Sequence, residues 1–167
     1  VLNQHFLDKG FDLDDVVVVS PDEGSIKLAV GHAKRLGNHL AIVDKRRKSA
    51  SETQQANIIG GPIEGLIALM FDDMISTAGS ICGAAQKVHD EGAKEIYVAA
   101  THGVFSGEAI ERLQAAPITG VVTTDTIPLP PEMALEKFTV LTVAPLLGEA
   151  IKRIHHDESI SDIFVTS

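Results

Sequence analysis

The stretch Leu66-Ile67-Ala68-Leu69-Met70-Phe71-Asp72-Asp73-Met74-Ile75-Ser76-Thr77-Ala78-Gly79-Ser80-Ile81 decides how the rest of this chain is read. Leu66 to Phe71 is an unbroken apolar run with the length and character of a parallel strand covered on both faces. Two adjacent carboxylates follow it, then a turn of small residues, and Ile81 to Val88 reads as a helix. Strand, acidic pair, small-residue turn and helix is how an open α/β sheet presents a ligand at the carboxyl ends of its strands. Thr77, Ala78, Gly79 and Ser80 would line up backbone N–H groups at the helix start, with two hydroxyls beside them, as a phosphate cradle does. Asp72 and Asp73 suit sugar hydroxyls, or a Mg²⁺ that travels with a phosphorylated sugar. A plain capped turn with solvated acids fits the same residues, and the stretch alone leaves both readings open.

Outward from this centre, Val16 to Val19 is a β-branched run without alternation, so a second doubly covered strand. Ser20-Pro21-Asp22-Glu23-Gly24 breaks it, and Ile26, Ala29, Val30 and Ala33 then fall at helical spacing up to the stop at Gly37. Further strands are expected at Leu40–Val43, Asn57–Gly60, Glu95–Ala100, Gly120–Thr126 and Phe138–Val143, and further helices at Ala109–Ala115 and Ala144–His156. Residues 1–14 form a connecting segment, part helical. Strands alternating with helices predict one α/β domain over residues 1–167, an open parallel sheet with helices on both faces and right-handed crossovers.

With 167 residues, 44% of them hydrophobic and 22% charged, the chain is long and apolar enough to bury a core. Its formal charge of -9 argues against non-specific nucleic-acid binding. No apolar run approaches the ~20 residues of a membrane span, and no signal-peptide pattern is present. A single cysteine, Cys82, precludes an internal disulfide framework and fits a reducing, cytoplasmic setting. Its place early in a helix favours a lowered thiol pKa, with no catalytic partner in view.

Other strand ends carry polar groups as well. Asp22 is available for a metal, or simply initiates a turn. The polar stretch 44–57 contains Lys45-Arg46-Arg47-Lys48, odd in so acidic a chain. It is expected to be a flexible loop, either solvated or closing over a phosphoryl group during transfer. His102 follows a strand without a visible triad, and the seven histidines lack zinc-ligand spacing.

Taken in order, Val18-Val19-Ser20-Pro21-Asp22 with Gly24, Asp44-Lys45-Arg46-Arg47, Asp72-Asp73-Met74-Ile75, Thr101-His102-Gly103-Val104-Phe105-Ser106-Gly107, Asp125-Thr126-Ile127-Pro128 and Glu158-Ser159-Ile160-Ser161 resemble the carboxyl-terminal half of the ribose-phosphate diphosphokinases. The resemblance covers nearly the whole chain. It implies a type I phosphoribosyltransferase-like fold and transfer of the diphosphoryl group of ATP to the anomeric hydroxyl of ribose 5-phosphate, with Mg²⁺, in a homo-oligomer. Carried onto this sequence, it assigns Asp72 and Asp73 to the ribose hydroxyls and Ser76, Thr77, Ala78, Gly79 and Ser80 to the 5-phosphate. Asp22 would bind Mg²⁺, Lys45 and Arg47 would stabilise the transferring group, and Ser159 and Ser161 would line a regulatory phosphate or ADP site. The family's amino-terminal half, which supplies most of the ATP pocket, is not represented, so the isolated chain is expected to be inactive.

The family loop usually reads D-D-x-x-D-T-G-G-T. Here Ser76 stands for the third acid, Ala78 for the first glycine and Ser80 for the last threonine. Loss of that acid leaves two other readings in view: a phosphoribosyltransferase, or a low-activity regulatory homologue.

Overall fold

The computed structural model describes residues 1–44 and 57–165. Helix α1 (Leu2–Asp8) opens the chain, and strand β1 (Val16–Ser20), helix α2 (Ile26–Leu36) and strand β2 (His39–Asp44) follow. Then come β3 (Asn57–Gly60), β4 (Ile67–Ile75), α3 (Gly79–Asp90), β5 (Glu95–Gly103), α4 (Ala109–Ala115), β6 (Gly120–Thr124), β7 (Phe138–Leu141), α5 (Ala144–His155) and the short α6 (Asp162–Val165). The strands form one sheet in the order β3-β2-β1-β4-β5-β6-β7. Its pairings are parallel from β2 to β7, as expected, while β3 returns antiparallel against β2 at the edge.

The apolar runs explain why both faces are covered. On one face Val17 and Val19 of β1, Ala68 and Met70 of β4, and Ile96, Val98 and Ala100 of β5 pack against α3 (Ile81, Ala84, Ala85, Val88) and α4 (Ala109, Leu113). On the other, Val16 and Val18, Ile67, Leu69 and Phe71, and Tyr97 and Ala99 pack against α1 (Leu2, Phe6) and α2 (Ala29, Ala33, Leu36). Period-2 alternation that is apolar on both sides is what a central parallel strand needs.

Strand β4 outruns its sequence expectation. Its pairing with β5 continues through Asp72↔Ala100 and Met74↔His102 to Ile75↔Gly103, so the two acids lie within the strand's projecting end. There Asp72 Oδ1 accepts the Asp73 N–H at 3.0 Å, and Asp73 Oδ1 accepts the Met74 N–H at 2.8 Å. Ile75 then returns to the core face that Met70 occupies, out of strict alternation. The carboxylates thus satisfy the backbone that leaves the covered part of the sheet.

Below the acids, Phe71 is fully buried, met edge-on by Phe6 (5.7 Å, 88°) and stacked flat on His32 (3.7 Å, 4°). Burial, with the nearby positive charge of Arg35, pushes the His32 pKa down to about 4. Its folded value therefore lies below its unfolded value near 6.5. Stability contributed by neutral His32 is complete above pH 6.5 and is lost as pH falls towards 4, because the unfolded chain takes up a proton the folded one refuses. Allowing for the ring's partial exposure, the expected loss is about 1–2 kcal/mol. Urea unfolding at pH 7 and pH 4.5 should show this extra acid sensitivity, and His32→Gln should abolish it; equal pH dependence in the two proteins would refute it.

Candidate functional site

The crevice forms where β1, β4 and β5 end side by side, and the neighbouring order of β1 and β4 brings Asp22 and Asp72 together. Ser25 joins them: its N–H donates to Asp22 Oδ1 (3.0 Å) and its hydroxyl to Asp72 Oδ1 (3.1 Å). Sequence reasoning placed the acids but missed this serine, which becomes visible only once β1 and β4 are known to be neighbours. Asp22 therefore does form the turn-capping bond that an Asp after a proline suggests. An open groove of about 690 Å³ runs from Asp22, Asp72 and Asp73 along α2, past Lys27 and Arg35.

Asp72 is half-buried, and burial is the main cause that raises its pKa, with Asp22 and Asp73 adding like charge; the Asp73 N–H and Ser25 hydroxyl oppose the shift. Asp73 is exposed. The pair thus offers one half-buried carboxylate held by Ser25 and its own backbone, and one exposed carboxylate whose Oδ1 holds the Met74 N–H while its other oxygen faces outward to solvent or a hydroxylated ligand.

The turn after β4 is braced from β5. Ile75 O accepts the N–H groups of Val104 and Phe105 (both 3.0 Å), and Ser76 O accepts the Ser106 N–H (3.0 Å). The Ser76 and Ser106 hydroxyls meet at 3.0 Å. Phe105 takes φ +46 to bury its ring against Phe138. Ala78 caps α3 in the left-handed conformation, φ 59 and ψ 4, and Gly79 is the first helical residue. The helix therefore begins two residues earlier than its apolar spacing indicates. Ser76, Thr77, Ala78, Gly79 and Ser80 wrap its start, the arrangement from which helix N–H groups hold an anion. Arg112 of α4 reaches this turn, donating to Thr77 O at 3.0 Å.

The remaining candidates fall elsewhere. His102 is held by Thr126 Oγ1 (2.9 Å), within a cluster in which Thr124 and Thr126 both donate to Thr101 O. Burial pushes the Cys82 thiol up, which overturns the expected lowering: a half-buried position outweighs the early-helix site. Ser159 and Ser161, hydrogen-bonded to each other, lie in the chain between α5 and α6, after the edge strand β7. Lys45 and Arg47 lie outside the described residues. Among the described residues, no three His, Cys, Asp or Glu converge on a metal position. Asp22 and its neighbours fit a Mg²⁺ that brings substrate oxygens with it, since this ion commonly takes only one or two protein carboxylates.

No helix among the described residues is long and apolar enough to cross a membrane. The family model for the phosphoribosyl synthetase-associated domain matches residues 54–165. A ribose-phosphate pyrophosphokinase of Rhodopirellula baltica is 66% identical over 164 residues, covering 98% of this chain and 52% of that protein. The solved phosphoribosylpyrophosphate synthetase of Mycobacterium smegmatis aligns with a TM-score of 0.83 at 34% identity, over 93% of this chain and 50% of that one. An APRTase from Giardia lamblia, at 18% identity and a TM-score of 0.55 over 72% of this chain and 75% of its own, shares the fold alone. The chain spans about half the length of the curated relatives it matches. Its sheet is the type I phosphoribosyltransferase-like fold, and the chain belongs to the phosphoribosyl synthetase-associated domain family, alongside the ribose-phosphate pyrophosphokinases.

Proposed function

We propose that this chain supplies the ribose 5-phosphate site and the catalytic loop of a ribose-phosphate pyrophosphokinase. The whole protein would transfer the diphosphoryl group of ATP to the anomeric hydroxyl. The observation that carries this reading is the acidic pair at the end of β4 directly before the left-handed turn into α3. Such a pair suits two adjacent sugar hydroxyls, and such a turn suits a terminal phosphate, so both ends of one small ligand are matched. Ser76 to Ser80 hold the phosphate, Asp73 and Asp72 orient the ring, and Asp22 holds a Mg²⁺ that neutralises the ATP phosphates. Lys45 and Arg47 meet the charge that gathers on the transferring group. Ser159 and Ser161 line a regulatory phosphate or ADP site, and the protein works as a homo-oligomer in the cytoplasm. The high identity to pyrophosphokinases favours this reading over a phosphoribosyltransferase.

Calorimetry with ribose 5-phosphate, ribose and inorganic phosphate tests the binding half. Ribose 5-phosphate should bind at least about 10-fold more tightly than either fragment, because one site engages both ends. Asp73→Asn should weaken ribose 5-phosphate and ribose while leaving inorganic phosphate nearly unchanged. Equal affinity for ribose 5-phosphate and phosphate would remove the acids from the site.

A further inference from the structure

We propose that Arg112 is a positioning residue that locks the Thr77–Ala78 peptide in the orientation the phosphate cradle requires. This rests on the ribose 5-phosphate reading of the loop. The Arg112 guanidinium bridges two places: Nη1 donates to Thr77 O (3.0 Å), and Nη2 pairs with Oε2 of Glu108 (3.0 Å), the residue that precedes α4. A Cβ placed on Gly79 would lie 3.7 Å from the same Nη1, so the side chain lies against the back of the turn.

The carbonyl of Thr77 and the N–H of Ala78 belong to one planar trans peptide and point in opposite directions. Fixing the carbonyl from the α4 side therefore turns the Ala78 N–H to the other side, towards the cradle. No hydrogen-bond partner of that N–H occurs among the described residues. A charge-assisted bond to the carbonyl also polarises the peptide and strengthens its N–H as a donor.

The lock is needed because the conformation is unfavourable for this residue. Ala78 sits at φ 59, where a Cβ is disfavoured and a glycine would be at ease. Rotation of the Thr77–Ala78 peptide by half a turn would relieve that φ. It would also remove the N–H from the cradle and present a carbonyl oxygen to the phosphate. Arg112 opposes this flip, since the flipped peptide loses its bond to the guanidinium. A binding-competent fraction that falls lowers the apparent affinity in proportion. Arginine suits the task because its rigid fork serves Glu108 and Thr77 at once.

The test uses this chain with Arg112→Met, which keeps the aliphatic stem, Arg112→Lys, which keeps a cationic donor, and Glu111→Gln as a control on the same helix. Nuclear magnetic resonance of the ligand-free proteins reads the Ala78 intraresidue HN–Hα contact, which is strong only at positive φ. It should weaken in Arg112→Met, be intermediate in Arg112→Lys and stay unchanged in Glu111→Gln. Calorimetry with ribose 5-phosphate should show a loss of about 10- to 100-fold for Arg112→Met and less than about twofold for Glu111→Gln. A full-strength Ala78 contact in Arg112→Met overturns the lock, as does a weakened contact with unchanged affinity. If the unsubstituted chain binds no ribose 5-phosphate, the site reading fails, and the ligand-free spectra still decide the lock.

Discussion

Gly79→Pro is expected to abolish ribose 5-phosphate binding while leaving helix α3 intact. Gly79 is the first helical residue, where proline's fixed φ and missing N–H are tolerated, so the helix itself has little to lose. The cradle loses twice. One backbone donor of the proposed phosphate site disappears, and the residue before a proline is driven out of the helical regions towards extended backbone. Ala78 at φ 59 and ψ 4 cannot hold its place against that clash, so the peptides on both sides of it turn. Together these effects should lower affinity by at least about 100-fold, roughly 3 kcal/mol. Asp125→Asn is the matched control. Asp125 Oδ1 accepts the Val143 N–H at 2.9 Å beside the start of α5, and an asparagine oxygen keeps that bond. Its affinity should stay within about twofold of the unsubstituted chain, because it touches nothing in the cradle. Equal calorimetric affinity in the two variants would exclude residues 76–80 as the phosphate site.

Phe71→Ala should be the most destabilising single truncation near the site. The ring is fully buried, perpendicular to Phe6 and stacked on His32, and it ties α1 and α2 to the middle of the sheet. Removing it deletes the buried hydrocarbon and leaves a cavity that two helices and a strand cannot close. The expected cost is about 3–5 kcal/mol in urea unfolding. Phe71→Leu keeps most of the volume and should cost less than half as much, losing mainly the flat contact with His32. Because the acids follow Phe71 directly, the alanine variant should also weaken sugar binding under conditions where it remains folded. A stability loss below about 1 kcal/mol would mean that α1 and α2 do not depend on this ring.

Burial is also why much of the fold was legible in the amino-acid order. A doubly covered strand must be apolar on both faces, so Val16–Val19 and Leu66–Phe71 announce themselves without any knowledge of their partners. The glycine at the end of α2 shows the same local logic, since Gly37 occupies φ 71 where the helix stops. For the candidate site, the sequence showed the acidic pair Asp72-Asp73 and the small-residue turn after an apolar strand, but a capped turn with solvated acids fitted those residues equally well.

Tertiary structure alone decided the rest. Sequence spacing ended β4 at Phe71, yet pairing with β5 holds the strand in register to Ile75, since a neighbour's hydrogen bonds extend a strand regardless of side-chain polarity. The antiparallel return of β3 was equally hidden, because a four-residue apolar run has no direction until it is paired. Ser25, Ser106 and Arg112 carry no local mark as site residues. They matter because sheet order sets β1 and β5 on either side of β4, and because α4 presents a guanidinium to one carbonyl of the turn. What the sequence by itself determined was which segments are buried and which chemical groups end them, both local consequences of hydrophobicity and backbone preference. What only the tertiary structure decided was which of those ends meet, because a hydrogen bond between residues 47 positions apart, such as Ser25 to Asp72, depends on the order in which strands pair.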